Sequence, residues 1–248
     1  MTRVKPFLLI ATRPEDEAAQ GEYEAIARFS GLAAEDLVHI QLDRAPLPPL
    51  DLDAVSGIIV GGSPYNTSDP QETKSADQVR AESELSTLLD EVVARDVPFF
   101  GACYGVGTLG VHEGAIVDHA YGEPVGGIEV SLTDEGRADP LLRAAGVPDT
   151  FTAFVGHKEA VHRLPPHAVL LATGTGAPVQ MFRIGRNQYA TQFHPELDAD
   201  GLVGRIHIYR DNGYFDPEEM ADLIDRVSTV DVRHAPKLLR AFAETYAR

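Results

Sequence analysis

Three short, uninterrupted apolar runs most restrict what this chain can fold into: Phe7 to Ala11, Gly57 to Val60 and Val97 to Ala102. Each has the length of a strand and no polar face, which suits a strand buried on both sides in a parallel sheet covered by helices. Helical stretches lie between them. One carries Ala19, Tyr23, Ile26 and Ala27 on a single face and stops at Gly31. Another begins at Ser75, with Gln78 completing a capping box, and places Leu85, Leu88, Leu89, Val92 and Val93 in a stripe at helical spacing. A further strand is expected over Leu37 to Leu42, and the Pro-rich stretch from Arg44 to Pro49 reads as a connection. This alternation predicts an α/β fold with an open, mostly parallel sheet and helices on both faces.

Beyond Gly110 the rhythm changes. Ile128 to Leu132 alternates apolar and polar residues, and Met181 to Ile184 is expected to pair with Tyr189 to Phe193 across Gly185-Arg186-Asn187, forming an antiparallel extension. Asp216-Pro217-Glu218-Glu219 has the form of a helix start, and Leu238, Leu239, Phe242 and Tyr246 give a last amphipathic helix. The sequence contains no internal repeat and no linker long enough to separate two domains, so residues 1–248 read as one elaborated domain with a helical extension over about 214–248.

With 21 Lys and Arg against 38 Asp and Glu, the formal net charge is −17, a field that disfavours nucleic acid and anionic membrane surfaces. The first apolar run is too short for a signal segment or a membrane span, so a cytoplasmic protein is expected. Cys103 is the only cysteine. It can form no intramolecular disulfide, and His112, His119 and His162 lack metal-ligand spacing, so no metal site is expected. The sequence has no Gly-x4-Gly-Lys-Ser/Thr loop, and no cofactor is expected.

The candidate chemistry begins at Gly101-Ala102-Cys103-Tyr104-Gly105, where a buried strand turns into a helix with glycines two before and two after the cysteine. That is the spacing of a nucleophile elbow: the turn strains the central residue, is expected to leave no room for side chains at either flanking glycine, exposes the sulfur and leaves the Tyr104 amide at a helix N-terminus, where it can donate to an oxyanion. A cysteine packed in a Gly-rich loop would have the same local sequence. In Gln192-Phe193-His194-Pro195-Glu196, the proline biases His194 toward extended backbone, which would turn His194 and Glu196 to the same side as an oriented base, unless they are merely solvated neighbours. Gly61-Gly62-Ser63-Pro64, at the end of an expected parallel strand, could supply a second oxyanion amide from Gly62 or serve as an ordinary turn. His157 competes as a base or substrate contact.

In this order, the elbow from Gly101 to Gly107, the Gly61-Gly62-Ser63-Pro64 loop, the Gly156 to Val161 run and His194-Pro195-Glu196 resemble the class I glutamine amidotransferases, particularly the glutaminase domain of GMP synthetase. The resemblance covers roughly Val55 to Asn212 and implies a flavodoxin-like or Rossmann-like amidotransferase fold. It also implies Cys103 as nucleophile, His194 as base, Glu196 as its orienter, Gly62 and Tyr104 as oxyanion donors, and Gly61, Gly107 and His157 near the substrate. The implied reaction releases ammonia from glutamine through a glutamyl thioester, for a separate synthase partner or in a stand-alone hydrolase of γ-glutamyl compounds. Gly107 departs from the family, which has Gln there to help hold glutamine, and Ser63 stands between the loop glycines and the proline. A catalytically silent binding protein or a thiol sensor of related fold is the alternative. The C-terminal helices are expected either to cover the sheet or to offer a docking or homo-oligomer surface.

Overall fold

The structure, a computed structural model, describes residues 4–248. Its first half follows the apolar runs. Strand β1 (Phe7–Ala11) is buried throughout and leads into α1 (Asp16–Ser30), closed by Gly31 in the left-handed conformation; β2 (Leu37–Gln41) and β3 (Gly57–Val60) follow. Helix α2 (Ala76–Ala94) starts where expected, with the Ser75 hydroxyl accepting from the Gln78 amide. The reciprocal half of the box is missing, because the Gln78 side chain donates to Asn66 O and Glu82 instead. The buried face of α1 includes the expected Ala19 and Ile26, with Tyr23 and Ala27 packed at its margin, and extends to Ala18, Glu22 and Ala25; Tyr23 also stacks on His39, 5.2 Å between centroids.

Strand β4 (Phe99–Ala102) meets α3 (Tyr104–His112) directly at Cys103. The chain then forms β5 (Ile116–Asp118), β6 (Glu123–Leu132), the short helices α4 (Asp134–Ala138) and α5 (Pro140–Ala145), β7 (Thr150–His157), β8 (Ala160–Arg163) and β9 (Val169–Gly174). It closes with the hairpin β10 (Met181–Ile184) and β11 (Gln188–Thr191), then α6 (Ala199–Ile208), α7 (Met220–Val227) and α8 (Lys237–Tyr246).

Among the described residues, nine strands form one sheet in the order β2-β1-β3-β4-β11-β10-β9-β6-β7. The pairings from β2 across to β11 are parallel, and those from β11 to β7 are antiparallel. The expected hairpin therefore does more than extend an edge. Strand β11 pairs with β10 on one side and in parallel with β4 on the other, Thr191 opposite Ala102, which brings the segment after β11 beside the end of β4. Cys103 and His194 both follow directly from these two neighbouring strand ends, at the carboxyl edge where open α/β sheets gather ligands.

Helix α8 covers the sheet. Phe242 is fully buried between Phe7 and Phe100, with ring centroids 5.9 and 5.5 Å away. Of the two uses expected for the C-terminal segment, cover is the one that its apolar face serves. Among the described residues, no helix is long and apolar enough to cross a membrane.

Candidate active site

The junction of β4 and α3 has the geometry expected of the glycine spacing. Cys103 has φ +52°, one of two non-glycine residues with positive φ among the described residues, and its amide donates to Thr191 O at 2.7 Å. A Cβ on Gly101 would lie 2.7 Å from Gly105 Cα, so the turn closes only without a side chain at 101. A Cβ on Gly105 would make ordinary contacts from 3.5 Å, so the expected steric need for glycine at both flanks holds at Gly101 alone. Tyr104 opens α3, and its N–H is among the first-turn amides with no acceptor inside the helix.

His194 and Glu196 are together, though by another route than extended backbone. His194 makes a single bridge to Phe154, its amide donating to Phe154 O at 2.9 Å, and the Leu197 amide returns to His194 O at 3.3 Å. Pro195 and Glu196 thus occupy the centre of a turn, with proline at a position that suits its fixed φ. The turn brings Glu196 Oε1 to 2.7 Å from His194 Nδ1. Burial opposes charge on His194, but the Glu196 carboxylate and then Cys103 push its pKa up to about 9. Burial likewise works against the Glu196 carboxylate, yet His194 and Arg205 hold it well below the usual carboxylate range.

Sequence reading missed the charges behind this pair. Arg205 Nη1 lies 2.9 Å from Glu196 Oε1, and Arg205 Nη2 lies 3.3 Å from Glu22 Oε1. Arg205 Nη1 and His194 Nδ1 are 3.2 Å apart because they share one carboxylate oxygen. Glu22, fully buried, also accepts from Arg13 Nε at 2.9 Å, and Arg13 Nη1 donates to the Tyr209 hydroxyl at 2.9 Å. Two carboxylates and two guanidiniums thus form a compensated buried chain ending at His194. Two of the three missed charged residues left a trace in the sequence. Glu22 falls between Ala18 and Ile26 on the inward face of α1, and Arg205 falls between the buried Leu202 and Ile206 of α6.

This chain of charges changes the reading of the glycine loop. The Gly62 amide, expected to face an oxyanion, donates instead to Glu22 Oε1 at 3.0 Å. The Gly61 amide donates to Ile10 O at 3.1 Å. A Cβ on Gly61 would fall 2.2 Å from Glu22 Oε2, and one on Gly62 would fall 2.5 Å from Arg13 Nη2 and 2.9 Å from His194 Cε1. Close approach of these side chains, not a positive φ, is what demands glycine at both positions.

Gly107 and His157 line a cavity with Cys103, Asn66, Glu159 and Gln192. His157 is buried, with Nδ1 at 2.8 Å from Glu159 O and Nε2 at 2.9 Å from Glu123 Oε2. Both ring nitrogens are engaged, and through them His157 ties β6 to the turn after β7. A Cβ on Gly107 would lie 2.8 Å from Thr67 Oγ1 and 3.0 Å from Glu159 Oε1. Glu159 is in turn fastened by the Thr67 and Ser68 amides at 2.8 and 2.7 Å. The space that a longer side chain would take is filled from the opposite wall.

Residues 34–201 match the family described as glutamine amidotransferase class-I. The chain belongs to this family. It is 26% identical over 148 residues to one of the subunits of a glutamine-hydrolysing GMP synthase from Thermoplasma volcanium, covering 59% of this chain and 65% of that one. To the glutamine amidotransferase-like protein YfeJ of Salmonella typhimurium it is 29% identical over 161 residues, 64% of each. The glutamine-hydrolysing GMP synthase of Elusimicrobium minutum is 32% identical over 108 residues, 43% of this chain but only 20% of that protein. The chain thus spans less than two thirds of these amidotransferases. A glutamine amidotransferase from Thermotoga maritima has the same fold, with a TM-score of 0.74, 21% identity and 98% of each chain covered.

Proposed function

We propose that this amidotransferase-family protein hydrolyses the side-chain amide of glutamine or a related γ-glutamyl compound, with Cys103 as nucleophile, His194 as acid and base, and Glu196 as the group that orients His194. The observation that supports this most is the meeting, in one cavity, of an elbow cysteine and His194, which the buried Glu196 holds from behind. The Cys103 sulfur, whose proton His194 already holds, bonds to the γ-carbonyl carbon. His194 then gives a proton to the amide nitrogen, the C–N bond breaks and a glutamyl thioester remains. Water attacks the thioester as His194 takes its proton, and glutamate leaves with the thiol restored.

The Tyr104 amide is the oxyanion donor in this scheme. The Gly62 amide joins it only by exchanging the Glu22 carboxylate for the oxyanion, one anion for another. That exchange gives a separate synthase partner a means of control, because docking that turns Glu22 aside would complete the oxyanion site. That the Thermoplasma relative is itself one part of a multi-chain synthase supports such a partner.

The scheme sets a pH dependence. His194 is the proton donor to the leaving group, so kcat/KM falls as pH rises through about 9, where it loses that proton. The same elevation above the ordinary 6.5 means that its contribution to stability is complete below 6.5 and is lost as pH rises through about 9. In Glu196→Gln the principal group opposing burial is gone, and the alkaline limb of the pH–rate profile moves to lower pH. An unmoved limb in that variant would remove Glu196 from its role.

Gly107→Gln tests the substrate side. The new side chain displaces Thr67 and breaks the Glu159 anchorage, so KM for glutamine rises rather than falls, by about 2- to 12-fold for one lost hydrogen bond. Steady-state ammonia release, with a thermal melt as control, measures it.

A further inference from the structure

Two cavities meet at Cys103, and their walls differ in kind. They share Cys103, Ser63, Gly156 and Tyr214. The first is polar, with Asn66, Glu159 and Gln192 on its walls. The buried Gln192 Oε1 and Tyr104 hydroxyl have no hydrogen-bond partner among the described residues. Such groups suit the amino-acid end of a γ-glutamyl substrate, which carries its own donors and acceptors. The second lies on the His194 side and is walled by Val125, Leu197, Leu202, Ile206 and Phe215. Its two cations, Arg13 and Arg205, are already paired with Glu22 and Glu196.

Attack by sulfur divides a γ-glutamyl amide into an acyl half and a leaving amine. The amine departs toward His194, which protonates it, and the second cavity opens on that side. Ammonia is a single non-hydrogen atom that is well hydrated in water, and apolar walls offer it nothing. The cavity volume is about 50 Å³.

We propose that the preferred substrate is an N-substituted γ-glutamyl amide whose amine carries a short apolar group, seated among Val125, Leu202, Ile206 and Phe215. The proposal rests on the hydrolase reading above and specifies its substrate class. The Cys103 sulfur bonds to the γ-carbon, the C–N bond breaks, the amine leaves with a proton from His194, and water returns glutamate and the free thiol. Each methylene buried on the leaving side raises kcat/KM by about fourfold.

The test is a series of γ-glutamyl compounds offered to the full chain: glutamine, then the methyl-, propyl- and butylamides, and a 4-aminobutylamide that ends in an ammonium. Release of ammonia or amine is followed by steady-state kinetics. The expected result is a rise along the alkyl series to at least about tenfold over glutamine for the butylamide, with the ammonium-tipped compound falling back below it. Val125→Phe and Leu202→Phe, which fill the cavity from two different elements, are each expected to lower the butylamide-to-glutamine ratio by about tenfold or more. Because both substrates use the same Cys103, the ratio is independent of how much of a variant folds. A steady loss of kcat/KM from glutamine to butylamide overturns this proposal and leaves a glutaminase whose apolar cavity passes ammonia. Absence of Cys103-dependent turnover on every compound overturns the hydrolase reading as well.

Discussion

Replacing Cys103 by Ala lowers turnover of every γ-glutamyl substrate by about 10⁴-fold or more, because no other group can form the thioester. Stability changes little, within about 0.5 kcal/mol, since the Cys103 amide keeps its bond to Thr191 O and Ala carries the same positive-φ strain. A second substitution separates strain from chemistry. Cys103→Gly removes the steric penalty at φ +52° and is expected to melt above Cys103→Ala, by about 1 kcal/mol, while remaining as inactive. Ammonia release and thermal melts on the three proteins measure both effects. Substantial activity in either variant contradicts the assignment of the nucleophile.

The largest effect on stability is expected at Glu22. This carboxylate touches Arg13, Arg205 and the Gly62 amide from a fully buried position. Glu22→Ala leaves the Arg13 guanidinium buried without its anion and Arg205 with Glu196 alone. Breaking a buried pair in this way costs about 3–5 kcal/mol, far more than the pair itself contributes over an apolar replacement. For a chain of this length the melting temperature falls by roughly 6–20 °C. Glu22→Gln retains an acceptor for the Gly62 amide and is expected to fall less. A Glu22→Ala protein that melts with the wild type would mean that the charge chain is solvated and does not bear on His194.

Much of the fold was legible because the central strands are apolar on both faces. Phe7–Ala11 and Gly57–Val60 match β1 and β3 residue for residue, and the Gly185-Arg186-Asn187 loop joins the strands it was expected to join. Strands β7 and β9 passed unread. Both pair with β6 from far along the chain, and no hairpin turn marks either of those pairings. The elbow was legible from its glycines, since close approach at Gly101 is a local requirement. The His194–Glu196 pair was legible as a motif, although a turn and not extended backbone creates it. Arg13, Glu22 and Arg205 were hidden because the link that joins them to His194, Glu22 to Arg205, spans 183 residues of sequence. Only tertiary packing brings residues 13, 22, 196 and 205 together, and the one local sign is a charged residue on an otherwise apolar helix face. The Gly62 amide followed from the same blindness: its acceptor, Glu22, sits one helix away.

The central claim is that Cys103 carries a γ-glutamyl group during turnover. Intact-mass and peptide spectrometry on protein quenched in acid during steady-state turnover of a γ-glutamyl substrate tests it most directly. The account predicts one added γ-glutamyl group, located on the peptide that contains Cys103, absent in Cys103→Ala and accumulating in His194→Ala only if acylation outlasts loss of the base. Turnover with an unmodified Cys103, or a glutamyl group on any other residue, would contradict it.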